Sequence, residues 1–171
     1  CASCHAAPKA TGEAKKTLAG GKDFKSDFGT FFAPNISPDP VFGIGKWTVL
    51  EFANAVQKGT SPSGQHYYPA FPYTSYSRMT SQDVADLFVY MKTLPKTQAP
   101  NQPHQLTFPF NNRRGLGFRK LLFASQDPDL KFTDDPVVQL GCYLVDGPGP
   151  CVECKQPCNT FCGLSYDSSH H

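Results

Sequence analysis

The sequence predicts an all-α domain, followed by a proline-rich irregular connector and an incomplete second segment. Two stretches repeat apolar residues at helical spacing behind N-capping signals. Sixteen Pro and fourteen Gly among 171 residues break the remainder into loops and turns. Fourteen Phe, seven Tyr and one Trp supply more aromatic surface than a disordered chain carries, and that surface needs an interior. The length suits one core with appended material, and the composition argues against a coiled coil or a regular bundle.

The first helix opens at Thr48-Val-Leu-Glu51, a capping box, and Val49, Phe52, Ala53 and Val56 form a short apolar stripe that ends at Gly59. The second opens at Thr80 with Asp83 three residues later, and Val84, Leu87, Phe88, Met91 and Leu94 fall on one face. Between them, residues 67–76 hold too much Pro to propagate a helix but enough aromatics to wall an apolar ligand. From Pro95 to Pro136 six prolines and no sustained periodicity read as a connector, with a basic cluster at Arg113, Arg114, Arg119 and Lys120. The domain boundaries are therefore expected at 1–97, 98–136 and 137–171.

A net charge of +2 gives no electrostatic case for nucleic acid or membrane binding. Residues 1–97 hold ten basic and seven acidic side chains, and residues 98–171 hold six and seven, so the first part carries the small positive excess. No apolar run approaches the length of about 18 residues needed to span a bilayer. The chain begins at Cys1, so membrane association is expected only through other segments or partners.

The opening Cys1-Ala-Ser-Cys4-His5 is the CxxCH pattern of c-type haem attachment. Two thiols at this spacing can add to the two vinyl groups of one porphyrin, and the adjacent imidazole can take the iron's proximal position. A zinc half-site or a dithiol redox pair would need a second ligand pair or a thioredoxin-like pattern, and neither follows Cys4. For the distal position the chain offers two methionines. Met91 lies on the apolar face of the second helix and reads as core. Met79 lies in the loop entering that helix and reads as the ligand, with a hydrophobic staple on the helix start as its structural alternative. Trp47 reads equally as a core indole or as a donor to a haem propionate.

Cys1-Ala-Ser-Cys-His5, Ala33-Pro-Asn-Ile-Ser-Pro-Asp39, Gly43-Ile-Gly-Lys-Trp-Thr48, Tyr68-Pro-Ala-Phe-Pro-Tyr73 and Met79-Thr80 together resemble the first domain of the multihaem cytochrome c subunit of membrane-bound alcohol, gluconate and sugar dehydrogenases. The resemblance covers residues 1–97 closely and runs more weakly through Phe108-Pro-Phe-Asn111 and Leu121-Leu-Phe123. It implies a cytochrome c-like haem domain with Cys1 and Cys4 as thioether anchors, His5 as proximal and Met79 as distal ligand. It also implies a periplasmic setting, a dehydrogenase catalytic subunit as electron donor and a quinone or terminal oxidase chain as acceptor, with no substrate transformed at the haem.

Two features depart from that pattern. Such domains carry a helix before the CxxCH motif that packs across the last helix, so the Val84 to Leu94 stripe is expected to lack its partner and the sequence to be a fragment. Near the end, Cys151-Val-Glu-Cys154-Lys155 echoes the attachment motif of a second haem domain with Lys in place of His. A lysine amine binds iron only after losing its proton, and only 17 residues follow Cys154, so one covalent haem is expected and not a second at Cys151 and Cys154. Cys151, Cys154, Cys158 and Cys162 could instead hold zinc or an iron-sulfur cluster, form disulfides, or mark a lost haem site. His66, His104, His170 and His171 read as exposed loop or tail residues. Besides electron transfer, the sequence leaves open a haem enzyme or gas-binding sensor with an open distal site, and a structural metal-binding tail.

Overall fold

A computed structural model describes residues 1–108, 111 and 134–149. The basic cluster at Arg113 to Lys120, the Leu121-Leu-Phe123 segment, the Cys151 to Cys162 run with Lys155, and His170 and His171 lie outside the described residues. The chain divides into two compact units, one from Cys1–Phe52 and Ala85–Asn112, the other from Ala53–Val84 and the described part of Arg113–His171. The elements in order are α1 (Ala2–His5), a 3-10 turn (Gly12–Lys16), β1 (Asp23–Ser26), β2 (Gly29–Phe32), α2 (Val49–Lys58), α3 (Tyr73–Tyr76), α4 (Ser81–Lys92), β3 (Gln105–Leu106) and α5 (Pro136–Asp146).

The fold is mostly helical but not all-α. In the first unit β1, β2 and β3 form a three-stranded antiparallel sheet, with Asp23 opposite Phe32 and Gly29 opposite Leu106. A tight hairpin joins β1 to β2, and Ser26 Oγ steadies it by donating to the Gly29 carbonyl at 2.9 Å. Gly29 has φ +120°, and a Cβ there would strike the Gln105 carbonyl, so only glycine lets β3 approach. His104 is not a free loop residue. Its Nδ1 accepts the Phe32 amide at 3.1 Å, and its ring meets Phe31 edge-on at 5.5 Å.

The segment between the sheet and α2 is held by buried polar side chains rather than by regular structure. Asn35, 3 % exposed, donates through Nδ2 to the Thr97 and Ala99 carbonyls at 2.9 Å each, and its Oδ1 accepts the Ser37 amide. Asp39 accepts the Phe42 and Val41 amides, whose donation holds its carboxyl below the usual carboxylate range. Lys92 reaches back from the end of α4 to the Gly45, Ile44 and Trp47 carbonyls at 2.6, 3.1 and 3.4 Å, and lies 4.7 Å from the Phe88 ring centre. Phe52 of α2 packs against Phe88 at 5.1 Å.

The threonine half of both capping boxes forms, and at Thr48 the reciprocal bond from the Thr48 amide to Glu51 forms as well. The Glu51 amide donates to Thr48 Oγ1 at 3.2 Å and the Asp83 amide to Thr80 Oγ1 at 3.1 Å. In α2 the buried face is Phe52, Ala55 and Val56, while Val49 turns outward. In α4, Val84 and Met91 are buried and Leu87 and Phe88 half-buried, as is Leu94 just beyond it, so the stripe expected to be stranded is partly covered; Val89 and Tyr90 form the exposed face. In the second unit, α2 stops at Gly59, whose φ of +53° would be strained in any other residue and whose Cβ would lie 2.5 Å from the Tyr73 ring. Residues 67–76 contain one helical turn, α3, with Phe71 packed edge-on to Tyr67 at 5.9 Å and tilted against Tyr76 at 5.6 Å.

Helix α5 was not assigned from the sequence. Asp135 caps it by accepting the Val137 and Val138 amides, and Pro136 opens it. Among the described residues no helix is long and apolar enough to cross a membrane.

Replacing Asn35 with Ala should remove about 3 kcal/mol of unfolding free energy, because the Ala99 carbonyl and the Ser37 amide lose this partner and the Thr97 carbonyl keeps only the longer bond from Ser37 Oγ at 3.4 Å. Chemical denaturation measures it. Asn35→Asp should not recover the loss, since a carboxylate has no proton to give the Thr97 and Ala99 carbonyls.

Candidate functional site

The candidate site begins with α1, a single helical turn that places Cys1, Cys4 and His5 in one short structure. The Cys4 and His5 amides both donate to the Cys1 carbonyl, at 3.2 and 2.8 Å, so the turn between the thiols is closed by main chain alone. Both thiols are exposed and neither is in a disulfide. Thioether formation with an external porphyrin requires that state.

His5 is half-buried, and its ring is anchored. Nδ1 lies 2.8 Å from the Pro34 carbonyl, which can only accept, so Nδ1 carries the proton. Desolvation pushes the imidazole pKa below the ordinary histidine value, outweighing the upward pull of the Pro34 bond. The ring is therefore neutral at pH 7, and Nε2 keeps a lone pair for a metal. This is the donor set a haem iron needs on its proximal side: a neutral imidazole with its other nitrogen bonded to a carbonyl that fixes tautomer and ring orientation. Cys1, Cys4 and His5 fit the group that the attachment motif implies.

The Pro34 carbonyl is itself held by the chain passing over it. The Gly20 amide donates to the His5 carbonyl at 2.7 Å, the Gly21 amide to Ala33 at 2.9 Å, the Ala33 amide to Lys22 at 2.9 Å and the Ile36 amide to Leu18 at 3.1 Å. A Cβ on Gly20, whose φ is +74°, would lie 2.6 Å from the Pro34 oxygen. Lys22 also donates from Nζ to the Ser3 carbonyl at 2.8 Å, inside the attachment turn. Residues 18–22 and 33–36 thus form a bracket for His5.

Met79, in the second unit, is buried at 9 % exposure. Its carbonyl accepts from Gln57 Nε2 at 2.8 Å and its amide donates to the Tyr76 carbonyl at 3.1 Å. Met91, 3 % exposed, is buried in α4 as its periodicity predicts. Trp47 is half-buried and contributes its carbonyl to Lys92. Among the described residues no group of three or more His, Cys, Asp or Glu side chains could hold a metal ion between them. Sequence reasoning did not single out Gly20, Gln57 or the role of Pro34. Pro34 is 29 residues from His5 and Gln57 is 22 from Met79, so no local pattern announces either pair; only the Gly20-Gly21 pair leaves a visible turn signal.

Gly20→Ala should lower the unfolding free energy by about 2 kcal/mol or more, from left-handed strain plus a main-chain collision. Gly21→Ala, where φ is +84° but nothing lies within 4 Å of the added carbon, should lose only about 1 kcal/mol. Equal losses in denaturant unfolding would show that the Pro34 contact carries no weight.

No protein-family model matches the chain. A protein of Cereibacter sphaeroides named "Diheme cytochrome c-type" is 52% identical over 159 residues, covering 93% of this chain and 54% of that protein. The "Alcohol dehydrogenase (quinone), cytochrome c subunit" of Gluconacetobacter polyoxogenes is 38% identical over 162 residues, covering 92% of this chain and 33% of the relative. The "Fructose dehydrogenase cytochrome subunit" of Gluconobacter japonicus is 36% identical over 162 residues, covering 93% and 32%. The chain spans about half the length of the first of these curated relatives and about a third of the others. Over most of its length this chain is homologous to the cytochrome c subunits of alcohol and fructose dehydrogenases and to a dihaem cytochrome c, and by that homology it contains a cytochrome c domain.

Proposed function

We propose that this chain is an electron-transfer module carrying one covalent haem c, with Cys1 and Cys4 as thioether anchors, His5 as proximal ligand and Met79 as distal ligand. The observation that carries the reading is the anchored imidazole: His5 Nδ1 lies 2.8 Å from the Pro34 carbonyl, which leaves Nε2 for iron, one residue from an exposed Cys4. A bound haem supplies a one-electron ferrous–ferric couple. His5 would hold the iron from a fixed ring orientation, the two thioethers would prevent loss of the group, and the Met79 sulfur would fill the remaining axial position and raise the potential. Held by His5 and Met79 together, such a group would rearrange little on electron transfer and would leave no site for a substrate.

The relatives' names support the partners. Two are subunits of alcohol and fructose dehydrogenases, and the alcohol enzyme's name includes quinone. We accordingly assign a dehydrogenase catalytic subunit as donor and a quinone as acceptor; a terminal oxidase chain as acceptor and the periplasm as the compartment rest on the resemblance of the sequence motifs alone.

Two measurements on the mature holoprotein test this. Intact mass under reducing conditions should show a single haem increment, and Cys4→Ala should lower haem retention. Met79→Leu should abolish the sulfur-to-iron absorption of the ferric form, lower the reduction potential and let the ferrous form bind carbon monoxide promptly, whereas Met91→Leu should change none of the three. A colourless mature protein would overturn the assignment. Prompt carbon monoxide binding by the unsubstituted protein would favour an open-site enzyme or sensor instead.

A further inference from the structure

A methionine sulfur sits only two rotatable bonds from its Cα and is a weak acceptor, so no strong hydrogen bond of its own holds it and the polar holds on it act through its main chain. The main chain at Met79 is held from both sides in the second unit. On one side its carbonyl accepts from Gln57. On the other, the Thr80 amide donates to the Tyr143 hydroxyl of α5 at 3.1 Å, and that hydroxyl donates in turn to Asp83 Oδ2. Asp83 Oδ2 also accepts from Thr80 Oγ1 at 2.7 Å.

The other capping box of the same chain shows what is unusual here. At Thr48 the box closes on itself, with the Thr48 amide donating directly to Glu51 Oε2 at 2.7 Å. At Thr80 a hydroxyl from 63 residues away stands between the amide and its carboxylate. Helix α5 makes a second tie across Met79: Asp146 lies 3.9 Å from Arg78, both side chains partly buried. Residues 78 and 80 are thus both bonded to one helix, with Met79 between them.

We propose that Tyr143 is a positioning residue for the Met79 thioether: by standing inside the Thr80–Asp83 capping box, it fixes the Met79 peptide and thereby how firmly the sulfur is held on the haem iron. This rests on Met79 being the distal ligand. Without the hydroxyl, the Thr80 amide is free to turn to Asp83 as Thr48 turns to Glu51. The helix keeps its cap, and the peptide that carries Met79 rotates.

The test uses the full-length holoprotein with Tyr143→Phe, and Val137→Ala on the exposed side of α5 as control. Tyr143→Phe should keep the global unfolding midpoint near that of the unsubstituted protein. It should lose the ferric sulfur-to-iron absorption at a lower temperature than the unsubstituted protein, and bind carbon monoxide in the ferrous form about tenfold faster, the factor expected from one net hydrogen bond. Val137→Ala should change neither. Asp83→Asn, which keeps an oxygen in the box but weakens the acceptor of the Tyr143 proton, should shift both readouts the same way by less, and it serves if the phenylalanine variant does not fold. An intact sulfur absorption with unchanged carbon monoxide kinetics in both variants overturns the proposal while leaving Met79 as ligand. A missing sulfur absorption in the unsubstituted protein overturns the Met79 assignment and this proposal together.

Discussion

The bond from His5 Nδ1 to the Pro34 carbonyl fixes the chemistry of the attachment turn. A four-residue helix has no packing of its own; none of the residues of α1 is buried, and an imidazole on it would sample several orientations and both tautomers. The carbonyl removes that freedom. It commits the proton to one nitrogen and leaves the other as a lone pair, while desolvation outweighs its upward pull on the pKa and keeps the ring neutral. The architecture of residues 18–36 follows from holding one oxygen still: a left-handed glycine passes at a distance no side chain would allow, and main-chain bonds tie residues 18–22 to 33–36.

That bracket would itself drift without support, because residues 33–47 contain no regular element. Buried polar side chains supply the support. Asn35 binds the chain after α4 to the residue next to Pro34, and Asn101 returns the contact by accepting the Asn35 amide at 2.6 Å. Further on, Lys92 collects three carbonyls of residues 44–47, with burial pulling its ammonium below the ordinary lysine pKa. Each of these side chains satisfies main-chain groups that a helix or sheet would otherwise have paired. A loop-rich interior of this kind depends on individual hydrogen bonds more than on apolar area, and the abundance of Pro and Gly in the sequence is the outward sign of it.

How much was legible in the sequence divides along the same line. Local signals read correctly: the capping threonines of both helices, the stop of α2 at Gly59 and the burial of Met91 depend on residues within about a turn of each other. Most of the misses are long-range. The sheet escaped because β3 is two residues long and pairs through Gly29, far away in sequence, while the hairpin carries little alternation. His104 reads as a loop residue until Phe31 and Phe32 are brought beside it. Helix α5 has start and stop signals in Asp135, Pro136 and Gly147, and it lies at the head of the segment that the sequence reads as an incomplete domain. The candidate haem ligands follow from chemistry and motif, and what orients them comes only with the fold.

The two candidate axial ligands also differ in kind, and the chain handles them differently for that reason. An imidazole has a second polar atom, so one hydrogen bond to the ring both orients it and sets its protonation. A thioether has no such handle, and any hold on it must act through the backbone on either side. The structure follows this division: His5 is held through its ring nitrogen by Pro34, whereas the Met79 side chain has no polar anchor and its carbonyl and the following amide are taken by Gln57 and Tyr143. A ring-held ligand tolerates motion of its own backbone. A backbone-held one transmits that motion to its tip, so the sulfur side is where sequence changes remote from the haem would be felt first.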